Sequence, residues 1–252
     1  MTRDIGMSVR ALIGVSALAV GLSAAVASAD LTDEIFTLQA AVGDASGTFV
    51  VSQDDGWFDN DGNFFWRMNE DVQITSDDGR VLATLSRASV NIFADPVINM
   101  NFNVQAANQN TVFTVSSGLL SFPTINGAVG AASAGVTVTD VNGDGATLAP
   151  DGSEIYRAHY NGQIPGGTLF TTLLESPVSA GAFQSASATD EYPGGGNFVA
   201  IGDPVTSMSA RWSFTVSAFD MASGSSTFIV VPAPAGAAVL GLAGLAIARR
   251  RR

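Results

Sequence analysis

"VINMNFNVQA", residues 97–106, alternates at every position: Ile98, Met100, Phe102 and Val104 point one way, Asn99, Asn101, Asn103 and Gln105 the other. A period of two with one polar face is the pattern of a strand packed on one side and solvated on the other. "MSARWSFTVSAF" (208–219) repeats it, with Met208, Ala210, Trp212, Phe214 and Val216 inward and Ser209, Arg211, Ser213, Thr215 and Ser217 outward. Outward from these two, "GTFVVSQ", "VQITS", "RVLATLS", "SVNIFA", "TVFTVSSGLL", "AGVTVTDV" and "STFIVVP" read as further strands. Turn clusters separate them: "DNDGN" (59–63), "SDDGR" (76–80), "ADP" (94–96) and "PGGG" (193–196). No internal stretch sustains a 3.6-residue period with caps. The chain is therefore expected to be all-β, an antiparallel β-sandwich, jelly-roll-like, in one domain over residues 30–230.

Composition narrows the setting. The chain has no Cys and no Lys, so disulfides, thiolate chemistry and Cys-ligated metals are excluded. Between Asp30 and Pro234 five Arg stand against twenty-two Asp and Glu, a net charge of −17. Such a surface repels nucleic acid and anionic lipid and attracts divalent cations. No nucleic-acid partner is expected.

The two ends have their own grammar. Arg3 and Arg10 precede the uncharged "ALIGVSALAVGLSAA" (11–25), and "ASA" (27–29) supplies the small residues that signal peptidase requires. Residues 1–29 read as a cleavable signal peptide, with signal peptidase as the first partner. At the other end, Ala235 to Ala248 is fourteen residues without a charge. As a helix it covers only ~21 Å of a hydrocarbon core of ~30 Å. Arg249, Arg250, Arg251 and Arg252 then close the chain and, by the positive-inside rule, belong on the cytoplasmic side.

Residues 231–252 thus combine a Pro motif (Val231, Pro232, Pro234), a hydrophobic segment and an Arg cluster, in that order. This resembles the PEP-CTERM sorting signal, in a "VPAP" variant that carries Ala233 where the family usually has Glu. The resemblance implies an exported substrate of an exosortase-type processing enzyme, transferred to the cell surface or extracellular matrix. It also implies transient insertion of the C-terminal helix in the inner membrane.

The sharpest internal motif is "DVNGDGATLAPD", residues 140–151. It fits D-x-[DN]-x-[DN]-G with an acid at position twelve, the spacing of a calcium loop. Asp140, Asn142 and Asp144 bring hard oxygens together, the Ala146 carbonyl adds one, and Asp151 closes the shell around Ca²⁺. Asp at position twelve, Leu148, Pro150 and strand-like flanks depart from the helical version. A plain hairpin turn, with "NGDG" supplying positive φ, explains the same residues.

A second cluster, "DDGWFDNDGNFFWRM" (54–68), holds Trp57, Phe58, Phe64, Phe65 and Trp66. Trp57 and Trp66 suit an aromatic platform for extracellular polysaccharide, with Asp59 and Asp61 on its hydroxyls. The competing reading is a hairpin whose aromatics pack across strands, Phe64 and Trp66 facing the core. Catalysis has little to rest on: His159 is the single His, expected on a strand surface in "YRAHY", and no nucleophile or Walker motif occurs. The expectation is a non-enzymatic protein with a structural or adhesive role, or else a carbohydrate-binding module assisted by calcium.

Overall fold

The residues of "MSARWSFTVSAF" form most of the central strand of one sheet. A computed structural model describes residues 30–233. In chain order its strands begin with β1 (Asp30–Leu31), β2 (Glu34–Val42), β3 (Ala45–Ser52), β4 (Trp57–Phe58), β5 (Phe64–Arg67) and β6 (Val72–Thr75). There follow β7 (Val81–Phe93), β8 (Val97–Ala106), β9 (Thr111–Ser117), β10 (Leu120–Ile125), β11 (Ala128–Thr139), β12 (Ala146–Pro150) and β13 (Tyr156–Tyr160). The last are β14 (Thr168–Leu173), β15 (Val178–Ala180), β16 (Ser185–Tyr192), β17 (Val199–Ala200), β18 (Val205–Val216) and β19 (Met221–Pro232).

Two antiparallel sheets pack face to face, as the alternating pattern requires. In sheet A, β18 is long enough to take β9 and β10 end to end along one edge, and β13 and β12 along the other. Sheet B runs β16-β11-β19-β8-β7-β5-β4. Between them lie the inward sets of both diagnostic strands: Ile98, Met100, Phe102 and Val104 from β8, and Met208, Ala210, Trp212, Phe214 and Val216 from β18 are all buried. Trp212 is the hub. Its ring lies 5.0 Å from Tyr156 and 5.3 Å from Phe102, and Phe102 stacks in turn on Phe214 at 5.6 Å. Edge-on and offset ring pairs of this kind add to plain area burial.

The outer faces differ. On sheet A, the outward set of β18 is partly covered, because Ser209 and Ser213 are buried. The loop 161–167 lies over Ser209, whose hydroxyl donates to the Gly162 carbonyl at 3.0 Å, and Asp151 accepts from Ser213 at 3.2 Å. The same loop corrects the expected position of His159. It is buried, with Nδ1 2.9 Å from the Gly166 carbonyl, rather than on a free strand surface. Sheet B keeps its outer face open.

The strand β19 continues through Pro232, so Val231 and Pro232 pair with Val129 and Ala128 inside sheet B, two residues past the expected domain boundary. Localisation through a C-terminal inner-membrane helix is corrected. There is no α-helix among the described residues, and none long and apolar enough to cross a membrane. The signal-peptide segment (1–29), Pro234, the apolar segment and Arg249 to Arg252 lie outside the described residues.

Candidate functional site

Residues 140–145 do not turn a hairpin. They carry the chain from β11 in sheet B to β12 in sheet A, across the end of the sandwich. The segments 107–110 and 217–220 make the same crossing beside them, from β8 to β9 and from β18 to β19. Hydrogen bonds lace the three arches: the Phe219 N–H donates to the Ala107 carbonyl at 2.7 Å and the Ala218 N–H to Asn110 Oδ1 at 3.1 Å. Asp220 arrives at the Asp140 loop by this route. The Val141 N–H donates to its Oδ1 at 3.3 Å.

Asp140, Asp144 and Asp220 each place a carboxylate oxygen within 4.8 Å of the others, with Asp140 and Asp220 buried and Asp144 exposed. Asp140 accepts from the Gly143 N–H at 3.2 Å and from the Phe183 N–H at 2.5 Å. Gly143 (φ 93°) and Gly145 (φ 93°) supply the left-handed turns that "NGDG" anticipates. Phe183 also sits at positive φ (55°), and its ring fills the space a side chain at Gly143 would occupy. Asn142 steers Asp144, donating from Nδ2 to its Oδ2 at 3.0 Å.

Electrostatics split the two buried acids. Burial raises the Asp140 carboxyl, but the N–H groups of Phe183, Gly143 and Gly145 outweigh it and hold the group below the ordinary aspartate value. Burial pushes Asp220 the other way, against donation from Ser217 and Val141, and the charges of Asp140 and Asp144 add to the rise. One acid is thus held below the ordinary aspartate value and its neighbour above it.

Of the five residues expected to ligate calcium, only Asp140 and Asp144 belong to this carboxylate group. Ala146 is buried at the start of β12, in its ladder with β15. Asp151 is carried away by β12, five residues at ~3.3 Å each, and lies with Ser213 instead. Asp220 takes the place foreseen for Asp151. The carboxylates fit a hard cation in donor type, since each oxygen keeps a lone pair beyond the hydrogen bond it accepts. Three protein oxygens are few against the six to eight that Ca²⁺ takes.

The aromatic cluster divides by strand alternation. Phe64 and Trp66 face the core, Trp66 stacking on Phe36 at 5.9 Å, so Trp66 is no sugar platform. Trp57 is 59 % exposed and stacks on Phe65 at 5.8 Å. Asp59 is committed to its own turn, accepting from the Asp61 and Asn63 N–H groups, both at 2.9 Å.

The strand registers extend the Trp57–Phe65 pair into a row across the open face of sheet B. Trp57 faces Phe65, then Asn91, Asn99, Thr227 and Ser133 in turn, and the row ends at Glu191. Seven strands at ~4.8 Å spacing make it about 29 Å long. A parallel row holds Arg67, Ser89, Asn101, Ser225, Gly135 and Thr189, and a third runs from Arg87 through Asn103, Ser223 and Thr137 to Ser187. The last two rows floor a depression of about 620 Å³. Neither of those rows, nor the aromatic end of the first, carries a carboxylate. Periodicity marks the Asn face of β8 as polar. The register that aligns it with Trp57 and the two Arg depends on strand order, which no local pattern encodes.

Compared with known proteins, the chain matches no family model and no curated sequence.

Proposed function

We propose that the domain is a non-enzymatic adhesive module of an exported protein, binding polysaccharide through the open face of sheet B. The observation that carries this reading is Trp57, an exposed ring braced by Phe65, at the head of a row of amides and hydroxyls long enough for several sugar units. Apolar ring faces take the C–H side of a sugar, and the Asn, Ser and Thr side chains answer its hydroxyls. The cleavable leader read in residues 1–29 supports export, and no membrane anchor enters the reading. The test is affinity electrophoresis of the full chain through gels containing neutral and acidic polysaccharides. Wild type is expected to be retarded by at least one and Trp57→Ala by none; equal retardation of both sinks the proposal.

A second reading concerns the arches. We propose that Asp140, Asp144 and Asp220 hold Ca²⁺ weakly, with water completing the shell. What favours it is the packing of a third carboxylate against a pair already close, a repulsion that a divalent cation relieves.

A further inference from the structure

We propose that the polysaccharide is anionic, a polyuronate whose carboxylates are gripped by Arg67 and Arg87. This rests on the carbohydrate-binding reading above and adds the ligand class. The described domain has five Arg, and two of them face this one depression. Arg157 is paired with Glu154, whereas Arg67 and Arg87 form no ion pair among the described residues. Both are exposed.

Their placement suits successive acidic sugars. Arg67 pairs with Ser89, and Arg87 lies two residues before Ser89 on β7. The two guanidinium-bearing positions are therefore diagonal neighbours, about 7–8 Å apart at the backbone. A guanidinium takes a carboxylate through two parallel N–H donors, a geometry that neutral hydroxyls do not reproduce. Between and beyond them, Asn101, Asn103 and Ser225 offer donors and acceptors for the sugar ring. Gly135 leaves the floor open, and a methyl there would come 3.3 Å from Thr189.

The acids near the face are accounted for. Glu191, at the far end, is engaged by the Gly195 N–H at 2.5 Å. Glu70 and Asp71 line a neighbouring depression together with both Arg and oppose an anionic ligand. An acidic domain that gathers two of its four Arg outside an ion pair, Arg67 and Arg87, on its open polar face complements a carboxylated polymer.

The experiment titrates the full chain by calorimetry with polygalacturonate, and with dextran as the neutral probe, in EDTA. Wild type is expected to bind polygalacturonate more tightly than dextran, with affinity falling as salt rises. Arg67→Gln with Arg87→Gln should weaken polygalacturonate binding at least about tenfold and leave the melting temperature unchanged. Glu70→Gln with Asp71→Asn should strengthen it. Polygalacturonate binding unchanged in the Arg variant overturns the inference. So does dextran bound as tightly as polygalacturonate; either result leaves the carbohydrate reading standing if binding still requires Trp57. Failure of wild type to bind any polysaccharide removes both.

Discussion

Asp220 and Asp140 place carboxylate oxygens within 4.8 Å of each other, although one follows β18 of sheet A and the other follows β11 of sheet B. Their folded-state acidities move in opposite directions. Asp140 stabilises the fold above its unfolded pKa, and that contribution is lost as pH falls through its lowered folded value. Asp220, with a raised folded value, contributes below its unfolded pKa, and that contribution fades as pH rises through the raised one. Asp140→Asn is accordingly expected to lower the melting temperature at pH 7, and Asp220→Asn to hold or raise it. Thermal melts from pH 3 to 8 check this; a drop at pH 7 in both variants contradicts it.

Calcium should reverse the sign at Asp220. With the cation bound, the ionised form is the useful one, and linkage stabilises the domain by ~2.7 kcal/mol at a hundredfold excess over Kd. A melt of the full chain in millimolar Ca²⁺ against EDTA, at constant ionic strength, should show a shift that Asp144→Asn and Asp220→Asn abolish and Asp151→Asn preserves. An equal shift with Mg²⁺, or one retained in Asp220→Asn, identifies general screening of the acidic surface instead.

The two Trp residues of the aromatic cluster should separate binding from stability. Trp66→Ala empties a core position against Phe36 and should cost ~3–5 kcal/mol in denaturant unfolding. Trp57→Ala exposes no core and should change stability by less than ~0.5 kcal/mol while removing polysaccharide retardation. Equal destabilisation by both would mean that Trp57 packs as core.

Any processing of the C-terminal segment should spare the last strand. Val231 and Pro232 are zipped to β11, and the Ala233 N–H donates to the Gly127 carbonyl at 3.0 Å. A protease needs extended, unpaired chain, so a trimmed product is expected to retain Pro232. Intact-mass spectrometry of the trimmed protein reads the new end directly; a terminus before Pro232 contradicts the expectation.

Much of this fold was legible from local pattern, because alternation is a property of single strands. β8 and β18 declared their inward faces without ambiguity, and "ADP" marked the β7–β8 turn where it occurs. What the pattern could not reach was the partner of each element. "NGDG" gave the left-handed turns correctly, yet the same glycines serve a hairpin or an arch, and only sheet order decides. Asp151 stood at the right interval for a loop that returns by a helix, whereas a strand carries it away. Asp220 sits in "SAFDMAS" with no motif around it, and it reaches Asp140 only because adjacent arches cross at one end. His159 looked solvent-facing by parity, but a distant loop lies over that face.

The position of β19 sets when this chain can become a protein at all. It is the final described strand in sequence, yet it lies in the interior of sheet B, pairing with β11 over twelve residues and with β8 over nine. Until it arrives, β8 and β11 have no neighbour on their facing edges, and Phe228 and Val230 are missing from the core. A chain threaded amino end first therefore stays open until its last strand has emerged, slow to close because its pairings are distant in sequence.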